Sequence, residues 1–98
     1  MEAEEIVRGI AESEEYRELA EIFEKLSSES SEGFLRVGEL MRAIERRLKQ
    51  IRDCLHERGK IAALNRQARK QLPVLFQARQ VFDALEEAAP TVEPFLER

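Results

Sequence analysis

Apolar residues recur at helical spacing along almost the whole chain, and this periodicity limits the possible fold more than any other feature. Five separate apolar stripes can be followed when each residue advances the helix by about 100°. The strongest stripe lies between Phe34 and Arg58 and continues for about six turns. Its members are Leu40, Met41, Ile44, Leu48, Ile51 and Leu55. Such stripes predict amphipathic helices that pack on a common core.

The chain has few residues with which to build anything other than helices. It contains four glycines and three prolines among 98 residues, and it has no run of alternating β-branched residues that would indicate a hairpin. A chain of this length supports one hydrophobic core. The sequence therefore predicts an all-α fold that forms a single domain over residues 1–98.

Changes in the direction of the stripes predict where the helices are interrupted. The stripe of residues 3–10 and that of residues 16–26 point about 150° apart, which favours a break at Ala11–Ser13. Ser13 can cap the second helix, and Glu14 suits its first turn. The alternative is one straight helix that is sandwiched between partners on both faces.

Loop residues and a glycine delimit the middle of the chain. The serine-rich segment Ser27–Gly33 is predicted to be a loop, because serine competes with helical hydrogen bonding. The long helix is then expected to cover Phe34–Arg58. Gly59 follows as its C′ residue, and beyond Gly59 the apolar stripe shifts by about 120°.

Prolines are expected to interrupt or end helices in the last third of the chain. Pro73 either begins a new helix at its first position or kinks a continuing one. Pro90 is expected to end the last helix near Ala89, with Phe95 and Leu96 packed against the end of the core.

Together these segments form three long arms, Ala3–Leu26, Phe34–Arg58 and Lys60–Ala89. The first and third arms are each interrupted once, which gives four to five helices. Because short connections place sequential arms side by side, we expect an antiparallel helical bundle.

Charge is distributed unevenly. Residues 1–33 carry three basic and eleven acidic side chains, a net charge of −8, whereas residues 34–79 carry twelve basic and four acidic ones, a net charge of +8. One interpretation is a nucleic-acid surface; the favoured one is an acidic arm packed beside a basic arm, because the basic residues are spread around the polar side of the long helix. The candidate nucleic-acid residues are Arg46, Arg47, Lys49, Arg52, Arg66, Arg69 and Lys70.

The sequence predicts no catalytic, cofactor-binding or metal-binding residues. Cys54 and His56 are the only nucleophile and base of the usual kinds, but two positions apart on a helix they would point in different directions. Cys54 is expected to be a small core residue and His56 to be solvated. One histidine and one cysteine do not make a zinc site, and no glutamate is followed by a histidine at the spacing of a di-metal bundle.

The sequence also indicates the setting in which the chain works. No apolar segment is long enough to cross a bilayer, and the acidic start is the reverse of a signal peptide. The single cysteine is consistent with a reducing, cytosolic compartment. We expect no membrane association and no targeting signal.

The first arm resembles computationally designed helical bundles. EAEEIVRG and SEEYRELAEIFEKL combine strong helix formers on the surface with a clean apolar face and acidic starts. The resemblance implies a bundle with a structural role, no activity of its own and no required partner. The alternative is a natural adaptor or scaffold module that binds another protein, or a second copy of itself, through a helix face. Under both hypotheses the chain is not an enzyme, and nucleic-acid binding is not expected.

Overall fold

The computed structural model describes residues 2–25 and 31–96, and helices make up its architecture. Five helices follow one another, and no strand occurs in this part of the chain. The all-α prediction and the predicted number of helices are therefore confirmed. The helices are α1 Ala3–Ala11, α2 Glu14–Glu24, α3 Ser31–Asp53, α4 Arg58–Gln71 and α5 Pro73–Leu96.

Ser13 separates α1 from α2, as the change in stripe direction predicts. Its backbone is extended, and its Oγ accepts a hydrogen bond from the Tyr16 N–H at 3.3 Å. This N-cap satisfies one of the N–H groups that a helix start leaves without a partner. The same hydroxyl donates to the Ile10 carbonyl at 2.5 Å. One side chain thus joins the end of α1 to the start of α2.

Helix α3 begins earlier than predicted. It starts at Ser31, so the last three residues of the predicted Ser27–Gly33 loop are helical, while residues 27–30 lie outside the described part of the chain. Serine suits the start of a helix as well as a loop, and Glu32 lies in the first turn, where the helix dipole favours a negative charge.

Helix α3 also ends earlier than predicted, at Asp53, so the turn expected at Gly59 lies instead at residues 54–57. The N–H groups of Cys54 and Leu55 donate to carbonyls three residues back, at 3.1 and 3.0 Å, and this tightens the last turn. Gly59 belongs to the first turn of α4 and does not have a positive φ. The apolar stripe extends past the end of the helix because Leu55, which lies in the turn, still packs on the core.

Pro73 is the first residue of α5 and does not kink a continuing helix. Leu72, which precedes it, leaves helical geometry (φ −122°, ψ 53°) and is completely buried. At the first helical position a missing N–H costs nothing. The next N–H, of Val74, donates to the phenolic oxygen of Tyr16 at 3.2 Å. A tyrosine from α2 therefore caps the start of α5.

Helix α5 continues past Pro90, where it was predicted to end, and reaches Leu96. The prediction rested on the hydrogen bond that a proline removes from a helix. At Pro90 the carbonyl that loses its donor belongs to Glu86, an exposed residue, so water can take the place of the N–H. The expected packing of Phe95 and Leu96 concerns side chains outside the described part.

The helices pack in a way that separates α3 from α4. Helix α4 lies mainly against α1, while α2 packs on α3 and α3 packs on α5. The third predicted arm therefore meets the second chiefly through α5, and a groove is left between the C-terminal half of α3 and α4. The buried side chains come from all five helices. They are Val7, Ile10, Tyr16, Leu19, Val37, Leu40, Met41, Ile44, Leu48, Leu64, Ala68, Leu72, Leu75 and Ala78.

Candidate functional site

A groove of about 670 Å³ lies between the C-terminal half of α3, helix α4 and the first turns of α5. Its apolar lining includes Leu48, Ala68 and Leu75, each at most 7% exposed, and Phe76, which is 37% exposed. Six basic side chains and one acidic side chain surround this apolar floor, and we call the whole feature the basic groove. The charged residues are Arg42, Glu45, Arg46, Lys49, Arg52, Arg69 and Arg79.

Four of the six cations follow one line of α3. Arg42, Arg46, Lys49 and Arg52 are four, three and three positions apart, so they share one face of the helix. At 1.5 Å per residue, they extend over about 15 Å of the helix axis. We call these four residues the α3 rim. Arg69 of α4 also lines the groove, and all five side chains are exposed.

The α3 rim and Arg69 form no ion pair with any described residue. Two other arginines of the basic region are paired, Arg36 with Glu18 and Arg79 with Glu45. The lining of the groove therefore keeps a charge of +5, from six basic residues and one acidic residue, in a chain whose net charge is −4.

Arg79 and Glu45 join α5 to α3 beside the groove. Arg79 Nε donates to Glu45 Oε2 at 2.8 Å, and its Nη2 donates to the other carboxylate oxygen. Its Nη1 donates to Asp83 Oδ1 at 3.2 Å. These bonds, the one to Glu45 foremost, raise the pKa of Arg79 further above its already high value. A bidentate contact of this kind fixes the relative orientation of the two side chains as well as the distance between them.

The acidic first arm does pair with the basic second arm, but at one place in the described residues. Arg36 donates to both carboxylate oxygens of Glu18, at 2.5 and 3.0 Å, and thereby links α3 to α2. The hydrogen bond from Arg36 lowers the pKa of Glu18. Complementary charge between the arms therefore accounts for Arg36, whereas the α3 rim faces the basic groove.

The structure brings together part of the predicted basic surface. Of the seven candidate residues, Arg46, Lys49, Arg52 and Arg69 line the basic groove, and the other three do not. The basic residues of α3 were expected to be spread around its polar side, and the structure brings four of them, the α3 rim, to the groove. Sequence reasoning also missed Arg42, although it lies four positions before Arg46. Arg79 could not have been found in this way, because its place depends on how α5 docks.

Cys54 and His56 lie in the turn between α3 and α4, and the prediction for Cys54 is wrong. Because α3 ends at Asp53, Cys54 is no longer at the edge of a buried stripe and its side chain is exposed. His56 is exposed, as predicted. The helical spacing that was expected to separate the two side chains does not apply, because α3 ends at Asp53.

No group of three or more histidine, cysteine, aspartate or glutamate side chains is arranged to hold a metal ion in the described part of the chain. None of its helices combines the length and apolar character that a bilayer crossing requires.

The fold and the groove define an all-α bundle that carries a basic groove with an apolar floor. Comparison of the chain with protein-family models, with curated proteins and with solved structures finds no match. The chemistry of the groove is therefore the main indication of what the chain binds.

Proposed function

We propose that the chain is a non-catalytic adaptor that binds another protein through the basic groove. The observation that carries the proposal is the set of five unpaired cations, the α3 rim and Arg69, around an apolar floor. Like charges on neighbouring turns of a helix repel one another. A ligand that brings negative charge and covers the apolar floor would relieve this repulsion and remove apolar surface from water.

The side chains of the groove favour binding over catalysis. They offer guanidinium and ammonium groups, one amide and apolar surface. The only carboxylate among them, that of Glu45, is held by Arg79. A general base needs a free group within reach of a proton, and no lining side chain supplies one.

A peptide-display selection against the purified domain tests this proposal. Neighbouring residues provide matched variants: Arg46→Glu with Arg69→Glu reverses two cations of the groove, while Arg47→Glu with Lys70→Glu makes the same charge change on the same helices outside it. Circular dichroism and thermal unfolding would first establish that both double variants are folded. Peptides recovered on the unmodified domain would then be measured against all three proteins.

The proposal predicts recovered peptides whose Kd rises by at least about tenfold with the groove variant and changes less than about twofold with the control variant. An equal loss of affinity with both variants would mean that binding depends only on the net charge of the domain. Unchanged affinity with both variants would mean that the peptides bind another surface. Either result, or a failure to recover binding peptides, would overturn the proposal.

A second candidate is a designed bundle with a structural role and no ligand. It is supported by the core, in which every buried side chain among the described residues is hydrophobic. A bundle of this kind is expected to be monodisperse and to unfold above about 90 °C. Thermal unfolding combined with light scattering tests it. A low midpoint with concentration-dependent association would count against the designed bundle.

We place the adaptor in a reducing, cytosolic compartment. Cys54 is exposed and is the only cysteine of the chain, so oxidation would allow two copies to be joined through it. Non-reducing electrophoresis of protein taken directly from cells tests this point: a monomer is expected, and a disulfide-linked dimer would contradict it.

A further inference from the structure

The basic groove combines an apolar floor with a row of cations along one side, and this combination specifies a ligand. We infer that the ligand is an acidic amphipathic α-helix that lies along α3, with its apolar stripe on the floor and a row of carboxylates against the α3 rim. The inference rests on the proposed function and adds the secondary structure and the charge pattern of the partner.

The spacing of the cations favours a helix over an extended peptide. Successive residues of the α3 rim are separated along the axis by about 6, 4.5 and 4.5 Å, since they are four, three and three residues apart. Carboxylates at every third or fourth position of a second helix have the same rise, so each can face one cation. Side chains on one face of an extended peptide repeat about every 6.7 Å. Carboxylates with that spacing would fall out of register with the cations of the α3 rim after two pairs.

The floor of the groove favours a protein over a nucleic acid. Phe76 presents most of the apolar surface, since Leu48 and Leu75 are at most 7% exposed. Leucine-like side chains of a helix can cover this surface, and a phosphodiester backbone cannot. Proteins that hold single-stranded nucleic acids without sequence preference usually stack several bases on aromatic rings. Among the described residues, Phe76 is the only aromatic one that lines the groove.

The ligand helix is expected to be acidic mainly on one side. Four unpaired cations stand on the α3 side of the groove, whereas α4 contributes Arg69 alone, and Arg79 is already engaged with Glu45. A continuous row of glutamates on one flank of an apolar stripe satisfies the α3 rim. Acidic residues distributed around the whole helix would leave most of them facing solvent.

A pair of synthetic peptides tests the inference. The first is about 18 residues long, long enough for five turns, with leucines at every third or fourth position and glutamates along one flank. The second has the same composition in an order that places the glutamates on all sides. Fluorescence anisotropy gives the affinity for the unmodified domain and for both double variants, and circular dichroism of the mixtures gives the helix content of the peptide.

The first peptide should bind the unmodified domain at least about tenfold more tightly than the scrambled peptide, and binding should weaken as salt is added. Its helix content should rise on binding. Arg46→Glu with Arg69→Glu should remove most of the affinity, while Arg46→Lys with Arg69→Lys, which keeps the charge, should retain most of it. Arg47→Glu with Lys70→Glu should leave the affinity within about twofold.

The possible failures are distinguishable. Equal binding of the two peptides, or binding without a gain in helix content, would overturn the inference of a helical ligand. If the display selection nevertheless yields groove-dependent peptides of another conformation, the adaptor proposal stands. Salt-dependent, groove-dependent binding of a single-stranded or duplex oligonucleotide, with no binding of either peptide, would overturn both in favour of a nucleic-acid ligand.

Discussion

The guanidinium of Arg79 on α5 bonds to both carboxylate oxygens of Glu45 on α3, beside the basic groove. The pair links two helices of the bundle, and it also places next to the cations the only carboxylate that lines the groove in the described part of the chain. Glu45 should therefore act in opposite directions on stability and on ligand binding. A ligand-free structural bundle would show only the first effect.

Glu45→Gln is expected to lower the free energy of unfolding by roughly 0.5–1 kcal/mol, a modest value because both side chains are about one third exposed (32% each). The same change raises the charge of the groove and should strengthen binding of the acidic peptide several-fold. Urea unfolding and fluorescence anisotropy measure the two effects. Glu39→Gln, on the same helix outside the groove, is the control. A loss of affinity that parallels the loss of stability would contradict the prediction.

Ser13→Ala should destabilise the protein by about 1 kcal/mol, the usual cost of losing an N-cap. The hydroxyl accepts from the Tyr16 N–H and donates to the Ile10 carbonyl, so its loss loosens the junction of α1 and α2. Ser13→Asn keeps a capping oxygen and should recover most of the stability. Denaturant unfolding tests this, and equal destabilisation by alanine and asparagine would show that the cap is not the cause.

Gly38 of α3 lies against the ring of Phe82 on α5. A Cβ placed there would be 3.1 Å from two ring carbons of Phe82, whereas one at Gly9 would meet nothing within 4 Å. Gly9→Ala should therefore stabilise the protein by roughly 0.5–1 kcal/mol through helix propensity. Gly38→Ala should stabilise the protein less than Gly9→Ala does, because the Phe82 ring must move to make room for the new methyl group.

A double-mutant cycle separates the two contributions at Gly38. In a Phe82→Leu background the ring is gone, so Gly38→Ala should recover the full propensity gain that is seen at Gly9. Unfolding free energies of the four proteins provide the measurement. If Gly38→Ala stabilises the unmodified protein as much as Gly9→Ala does, the Phe82 ring moves without a loss of stability. The short distance between Gly38 and Phe82 would then have no energetic consequence.

The ion pair of Glu18 and Arg36 should make stability dependent on pH in the acid range. The hydrogen bond from Arg36 holds the pKa of Glu18 below its ordinary value of 4.5. A carboxyl with a lowered pKa favours the folded state above that value, and the contribution is lost as pH falls through the lowered pKa. Glu18→Gln should therefore lower the thermal midpoint at neutral pH, and the difference from the unmodified protein should shrink below about pH 4.

Glu21→Gln is the control for this titration. Glu21 is an exposed residue of the same helix and forms no ion pair with a described residue. Its substitution removes the same charge from the same helix without breaking an ion pair, so it should change the midpoint little at neutral pH. A difference between unmodified protein and Glu18→Gln that persists unchanged to pH 2 would show that the ion pair is not responsible.

The helix breaks were predictable wherever local chemistry causes them. Ser13 caps α2 with its own side chain, and Pro73 fixes its own φ, so both breaks can be read from the sequence. The end of α3 was not predictable in this way. Leu55 packs on the core from a turn, and a periodic pattern cannot tell that position from one on a continuing helix.

The basic groove was predictable in part for the same reason. The α3 rim is a matter of spacing within one helix, and the positions 42, 46, 49 and 52 can be placed on one face from the sequence alone. This face borders a groove only because α4 packs against α1 and leaves a gap between itself and α3. Contacts between segments far apart in the sequence leave no local pattern: α1 and α4 are separated by more than 45 residues, and Arg79 lies 34 residues after Glu45. Neither the groove nor the role of Arg79 could therefore be inferred beforehand.

The most direct test of the central claim is to locate the acidic helical peptide on the domain. In a titration of isotope-labelled protein followed by amide chemical shifts, the account predicts the largest changes at residues 42–52 of α3, 65–69 of α4 and 75–79 of α5. Residues of α1 and the exposed face of α2 should change little. Saturating shifts confined to these three segments are the expected result, and shifts that centre on another surface, or no shifts, would contradict the assignment of the basic groove as the binding site.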